Sequence, residues 1–198
     1  MKILIADDHG IVRSGIRLLL ERQPDIEVVA EAADGAEARD LALRERPDLA
    51  ILDVKMPVLD GLSAAERIHE QHLAPVLMLT AFSQRELVDR ARDAGAMAYI
   101  VKPFSKSDLV PAIEMAVSRY TEMRTLEQEI ADLCALADGT LPEPRRVEVE
   151  AWVATSAELQ ELVERQRQSV LATRALASDE EPASLRAAVA AQTRLRPA

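Results

Sequence analysis

Aromatic residues are nearly missing from this chain, which has two Phe, two Tyr and one Trp among 198 residues. A core built on aromatic anchors is thereby excluded, and Ala, Leu, Val and Ile must supply most of the 48% hydrophobic content. That supply suits aliphatic helices packed on an aliphatic sheet. Cysteine is equally scarce. Cys134, alone in the sequence, excludes an intramolecular disulfide and a cysteine-based zinc cluster within one chain, and a reducing, cytoplasmic setting is expected. The residue is read as a small buried apolar side chain. No apolar run approaches the roughly 20 residues that cross a bilayer, and Met1-Lys2 leads into a strand-like run rather than a secretory segment. A soluble, intracellular protein is the expectation.

Positive charge is also in short supply. The formal net charge is −10, and the excess is uneven: residues 1–150 hold 18 Lys/Arg against 28 Asp/Glu, while 151–198 hold six of each. An acidic front argues against non-specific nucleic-acid binding there, whereas a local patch of Arg on the neutral tail remains open.

What is present is a strict alternation. Five short aliphatic runs, at 3–6, 26–30, 49–52, 75–79 and 98–101, read as strands, most of them buried on both faces. Between them, 11–22, 35–45, 60–71, 84–94 and 107 onward carry helical spacing, as in Val12, Ile16, Leu19 and Leu20. Alternation of this kind predicts an α/β fold with a doubly wound parallel sheet and right-handed crossovers. The last helix continues past one domain's need: Ile113, Ala116, Tyr120, Met123, Leu126, Ile130, Leu133 and Ala137 form a stripe that requires a partner, such as a second chain. We therefore expect a domain over 1–122, a coiled helix and linker over 123–150 with its break at 138–150, and a small all-α segment over 151–198 with helices at 151–176 and 183–195.

Ligands of an open parallel sheet bind beyond the carboxyl ends of its strands. There this sequence places Asp7 and Asp8 after the first strand, Asp53 at the end of the third, Thr80 at the end of the fourth and Lys102 after the fifth. Singly, each has an ordinary reading: a helix cap, a turn, a β position, a solvated amine. Their convergence on one edge favours chemistry. Three crowded carboxylates call for a cation, and oxygen donors with room for water suit Mg²⁺. With two carboxylates holding the ion, Asp53 is free to act as nucleophile toward phosphorus, Lys102 and Mg²⁺ share the phosphoryl charge, and Thr80 donates a hydrogen bond to it. His9, His69 and His72 are read as surface histidines; the last two share a helix end without a carboxylate or cysteine to complete a metal site.

Through Ile3-Leu4-Ile5-Ala6-Asp7-Asp8, Ile51-Leu52-Asp53-Val54-Lys55-Met56-Pro57, Leu79-Thr80-Ala81 and Val101-Lys102-Pro103, the sequence resembles the response-regulator receiver (CheY-like) family over about 120 residues. The resemblance implies a sheet in order 2-1-3-4-5 and a regulator rather than an enzyme. It implies phosphorylation of Asp53 by a sensor histidine kinase, with Mg²⁺ held by Asp8, Asp53 and the backbone carbonyl of Lys55, and Asp7 acting through water. It further implies a cis Lys102-Pro103 bond and a switch in which Thr80 moves toward the phosphoryl group, Tyr99 turns inward and the small Ala81 leaves room.

The output is less uniform. Residues 1–32 are similar to DNA-binding regulators, without a matching helix-turn-helix pattern later in the chain. From Asp53 to Leu133 the sequence is more similar to actinobacterial regulators with an ANTAR domain, which bind RNA hairpins and relieve transcription termination. Glu161-Leu162-Val163-Glu164-Arg165 and Leu185-Arg186-Ala187-Ala188 echo that domain, with departures at Gln166 and Gln168. Arg165, Arg167, Arg174 and Arg186 are the candidate RNA contacts. A homodimer through 113–137 and a tail that contacts only proteins are the accompanying expectations.

Overall fold

The computed structural model describes residues 1–81 and 85–178. Five strands and seven helices occur among them: β1 (Lys2–Ala6), α1 (Gly10–Leu20), β2 (Glu27–Ala32), α2 (Gly35–Glu45), β3 (Leu49–Asp53), α3 (Gly61–Glu70), β4 (Val76–Thr80), α4 (Arg85–Asp93), β5 (Ala98–Val101), α5 (Lys106–Asp138), α6 (Arg145–Val153) and α7 (Ala157–Ser178). The chain divides into two compact units, Met1–Arg124 and a second beginning at Thr125.

In the first unit all strand pairs are parallel and the order is β2-β1-β3-β4-β5, as the alternation and the family resemblance imply. The side-chain period of two sorts the aliphatic residues onto two faces. Leu4, Ala6, Ala50, Leu52, Val76 and Met78 pack beneath Ala38, Ala42, Leu62, Ala65 and Ile68 of α2 and α3. Ile3, Ile5, Ile51, Leu77 and Leu79 pack against Ile16, Leu20, Leu109, Ile113 and Ala116 of α1 and α5. Each fully buried Leu or Ile contributes about 2 kcal/mol, so the three central strands are the best anchored part of the unit. Functional groups at their ends inherit that rigidity. The small residues of α2 and α3 let those helices lie close to the sheet without aromatic filler.

Local chemistry starts the helices where it is needed. Asp34 accepts hydrogen bonds from the amides of Ala36 and Glu37 at the head of α2, and Asp60 accepts one from Ser63 at the head of α3. At the head of α5, Asp108 accepts from the amide and hydroxyl of Ser105. No helix among the described residues is long and apolar enough to cross a membrane.

The second unit corrects the sequence reading in four places. The stretch read as a linker, 138–150, contains the start of α6 at Arg145, preceded by Pro144, which suits a helix start. Its helix is stabilised by tertiary contacts: Arg145 Nε and Nη2 donate to Asp132 Oδ2 at 2.9 and 2.7 Å, Gln128 donates to Asp132 Oδ1 at 2.8 Å, and Val149 is buried. The helix expected at 151–176 is two helices, because the chain turns at Ala154–Ser156, where the Ser156 amide bonds the Val153 carbonyl and the Ser156 hydroxyl accepts from the Leu159 amide. The end of the α5 stripe has its partner in the same chain, since Leu133, Leu136 and Ala137 pack with Leu141, Val149, Val153 and Val163. Cys134 is exposed rather than buried, as it falls on the other side of α5 from Leu133 and Leu136. The helix expected at 183–195 lies outside the described residues.

Hydrogen bonding from Arg145, opposed by burial and assisted by Gln128, holds the Asp132 carboxyl below its usual value of 3.8. A depressed carboxyl stabilises the fold above its unfolded value and loses that contribution as pH falls through the lower folded value. Arg145→Gln is therefore expected to lower the urea midpoint of the second unit near neutral pH, followed by fluorescence of Trp152, the only tryptophan in the chain. The gap from the parent chain should narrow as pH drops below 3.8; a gap independent of pH would refute this account.

Candidate functional site

The register of the sheet brings the polar residues together. Ala6 is paired with Leu52, Asp53 with Leu79 and Thr80 with Val101, so Asp7, Asp53, Thr80 and Lys102 emerge side by side at one edge. The amide of Asp7 bonds the Ala32 carbonyl, and that of Lys102 the Thr80 carbonyl, extending the ladder to the functional residues themselves. The Lys102-Pro103 bond is cis, as the family resemblance implies.

Lys102 Nζ donates to Asp7 Oδ2 at 2.5 Å and to Asp53 Oδ1 at 2.6 Å. Asp53 Oδ2 accepts from the Lys55 amide at 3.1 Å, and Asp7 Oδ1 from the His9 amide at 2.9 Å. Asp7, Asp53 and Thr80 are buried, with Asp7 wholly so. Burial pushes the Asp53 carboxyl up, Lys102 pulls it back, and the neighbouring Asp7 adds to the rise, leaving it above its ordinary value. For Lys102, burial acts downward, but hydrogen bonds and charge from Asp53 and Asp7 outweigh it and hold the ammonium above its ordinary value.

Gly61 decides how close α3 can come. A Cβ there would lie 1.8 Å from the Asp53 carbonyl oxygen, an impossible contact, and its amide bonds the Val54 carbonyl at 3.0 Å. The preceding loop is strained: the Leu59 amide bonds the Pro57 carbonyl around Val58, whose φ is 63°, an uncommon value for a β-branched residue.

Of the residues singled out from sequence, Asp7, Asp53, Thr80 and Lys102 share the strand edge, and Asp8 comes directly after Asp7. Tyr99, paired with Met78 rather than Thr80, is 48% exposed and lines a groove of about 850 Å³ with Val88, Arg92, Pro111 and Met115. Two contributors were missed. Arg13 of α1 donates from Nη1 to the Asp7 carbonyl at 2.7 Å and from Nε to Glu31 at 3.4 Å. His9, read as an ordinary surface histidine, sets its Nδ1 2.6 Å from Asp8 Oδ1. Arg13 lies six residues beyond Asp7 with nothing local to mark it; adjacency to Asp7-Asp8 was the available signal for His9. Among the described residues, Asp7, Asp8 and His9 are the one group of three or more metal-competent side chains whose ligand atoms all lie within 4.8 Å. His69 and His72 have ring centroids 6.3 Å apart and form no such group; His69 is half-buried, its ring against the place a Cβ on Gly95 would occupy.

In the tail, Arg165 pairs with Glu161 at 3.0 Å and Arg167 with Glu164 at 3.7 Å, both on α7. Val163 of the same run is buried in the helical core. The side chain of Arg174 and all of Arg186 lie outside the described part.

The model of the response regulator receiver domain matches residues 3–114. The chain belongs to the response regulator receiver family. The transcriptional regulatory protein PdtaR of Mycobacterium tuberculosis is 56% identical over 132 residues, which cover 67% of this chain and 64% of that protein. The uncharacterised transcriptional regulatory protein YhcZ of Bacillus subtilis is 40% identical over 121 residues, covering 61% and 56%. This receiver chain thus spans less than two thirds of the length of these relatives. Among solved structures, the receiver domain of the putative response regulator NarL from M. tuberculosis is similar with a TM-score of 0.57 and 30% identity, covering 59% of this chain and 95% of that one. The response regulator domain of Thermotoga maritima CheB gives 0.56 and 28%, covering 60% and 96%.

The receiver's electrostatics make one prediction that needs no phosphoryl donor. A carboxyl raised by the fold opposes folding above its folded value and ceases to do so below its unfolded one, near 3.8. In metal-free solution near neutral pH, Asp53→Asn is expected to raise the urea midpoint of the receiver, and the gain should vanish as pH approaches 3.8. Equal or lower stability at neutral pH would contradict the burial argument.

Proposed function

We propose that this response regulator accepts a phosphoryl group on Asp53 from a sensor histidine kinase and thereby controls its C-terminal helical unit. The observation that carries the reading is the Lys102 ammonium held between Asp7 and Asp53 at the strand edge. Asp53 is the best nucleophile of the set because it terminates the central β3 and, with a cation within bonding distance, keeps a small exposure of 7% where Asp7 has none. In the transfer, a carboxylate oxygen of Asp53 bonds to phosphorus as the donor's P–N bond breaks, and the donor imidazole leaves with the electron pair and takes up a proton. Lys102 meets the charge gathering on the phosphoryl oxygens; Thr80, at the end of β4, supplies a hydroxyl on the same edge. Phosphorylation then biases a switch through Thr80 and Tyr99, the latter exposed beside a groove.

The donor set fits Mg²⁺, since Asp8, Asp53 and the Lys55 carbonyl offer hard oxygen ligands, with Asp7 acting through water. Bound there, the ion would supply electrostatic stabilisation of the phosphoryl oxygens. The receiver is expected to label with acetyl phosphate in a Mg²⁺-dependent manner, and Asp53→Asn should lower incorporation at least tenfold, on the order seen when a covalent nucleophile is lost. Labelling retained by Asp53→Asn, or unaffected by a chelator, would sink this mechanism.

For the output we infer an RNA-binding, antitermination-type activity of the ANTAR kind, with 1–122 as receiver and the helical unit that begins at Thr125 as output. Its support is the similarity to the transcriptional regulator PdtaR and the Glu161–Arg165 run on α7. A homodimer through the middle of the 113–137 stripe accords with the exposed Leu126 and Ile130 of α5, its two ends being buried within the chain, and a cytoplasmic setting with the single cysteine. The second reading, a tail that contacts proteins only, is favoured by the pairing of Arg165 and Arg167 with acidic neighbours, which reduces their availability to phosphates. Full-length protein phosphorylated on Asp53 should bind a structured RNA hairpin about tenfold more tightly than a scrambled strand, with affinity falling as salt rises. Equal binding to both would favour the protein-contact reading.

A further inference from the structure

The apolar stripe of α5 is covered over one part and bare over another. Leu126, Ile130, Leu133 and Ala137 follow one another at spacings of four, three and four, the repeat of a coiled-coil seam. Leu133 and Ala137 are buried with Leu136 against Leu141, against Val149 and Val153 of α6, and against Val163 of α7. Leu126 and Ile130, on the same seam, are 59% and 62% exposed. Two such side chains fall far short of the roughly 800 Å² per partner that a stable interface buries. Glu127 and Glu129 flank them, so a second copy would set like charges together there. One heptad further on, the equivalent flanking positions are Cys134 and Leu136, which carry no charge. A seam lengthened through Ala137 therefore gains apolar contact without further repulsion.

We propose that α6 is a removable cap on a homodimer seam: it competes with the α5 of a second copy for Leu133 and Ala137, so the dimer tightens when the cap opens. This rests on the homodimer read from the exposed part of α5, and it adds what regulates that contact. The core beneath the cap is small. Its seven buried side chains are all aliphatic, none larger than leucine. The directional hold on α6 comes from Arg145, whose Nε and Nη2 donate to Asp132 Oδ2 of α5 at 2.9 and 2.7 Å, while Gln128 donates to the other oxygen. Contacts on this scale open locally at less cost than global unfolding. A cap that is closed most of the time weakens dimerisation by the fraction of chains that are open, once for each partner.

Sedimentation equilibrium of the full chain measures the competition. Arg145→Gln removes the hold on Asp132, and Val149→Asp places a charge in the small core; each is expected to lower the dimer Kd about tenfold. Ile130→Asp, added to either, should abolish that gain. In the parent chain, the amides of α6 should exchange with solvent faster at a concentration where the dimer forms than at one where it does not. A Kd changed less than about twofold by both cap variants, or α6 amides no faster in the dimer, overturns the cap. A gain that survives Ile130→Asp also overturns it, because the association then lies elsewhere than the α5 seam. The homodimer itself is tested separately. A parent dimer weakened by Ile130→Asp upholds it even where the cap fails, whereas parent and cap variants that are all monomeric overturn it and the cap with it.

Discussion

The ammonium of Lys102 between the carboxylates of Asp7 and Asp53 is the constraint on which the rest of the receiver depends. Asp7 is fully buried and Asp53 nearly so, at the ends of adjacent central strands. Two carboxylates in so small a space repel one another, and removal from water adds a penalty of several kcal/mol per ion. A cation delivered from the far side of β4 offsets both costs. Lys102 can reach because β5 stays in register with β4, and the Lys102 amide extends that ladder to the Thr80 carbonyl. The pairing is local in effect but draws on four strands.

The surrounding sequence serves that arrangement. Buried aliphatic side chains on both faces hold β1, β3 and β4, so the charged ends are presented by the stiffest part of the sheet. Gly61 lets α3 begin against the Asp53 carbonyl, and Arg13 ties α1 to the Asp7 carbonyl. The strained turn at Val58 lies in the loop between Asp53 and α3, close to the charged edge. Tyr99, by contrast, keeps an exposed ring beside a groove at β5, outside the packed core.

The second unit is held by different means. Its core is small and aliphatic, formed by Leu133, Leu136 and Ala137 of α5 with Val149, Val153 and Val163. A core of that size leaves little surplus, and the Asp132–Arg145 contact supplies a directional restraint where apolar area is limited. Leu126 and Ile130, further toward the N-terminus of α5, are covered by neither core, being 59% and 62% exposed.

Much of this was legible in the linear chain. Strand and helix periodicity, Asp-Gly turns and the Asp7-Asp8, Asp53, Thr80 and Lys102 pattern determine a parallel α/β receiver and its polar edge, because in such a sheet the residues just after each strand must gather at one end. The region beyond α5 was harder to read. Arg145 to Glu150 has two apolar residues among charged ones, and its helix is secured by Asp132, 13 residues earlier, and by burial of Val149, neither of which periodicity registers. The side of α5 that Cys134 takes was decided by which turn of the helix met α6 and α7. The roles of Arg13 and His9 were likewise set by approach in space, since an arginine or histidine near an acidic pair is ordinary until its nitrogen stands within bonding distance of a particular oxygen. Sequence alone determined which residues could gather at the strand edge, because strand polarity is a one-dimensional property; only the tertiary structure decided which atoms share a charge, because that depends on distances between elements far apart in the chain.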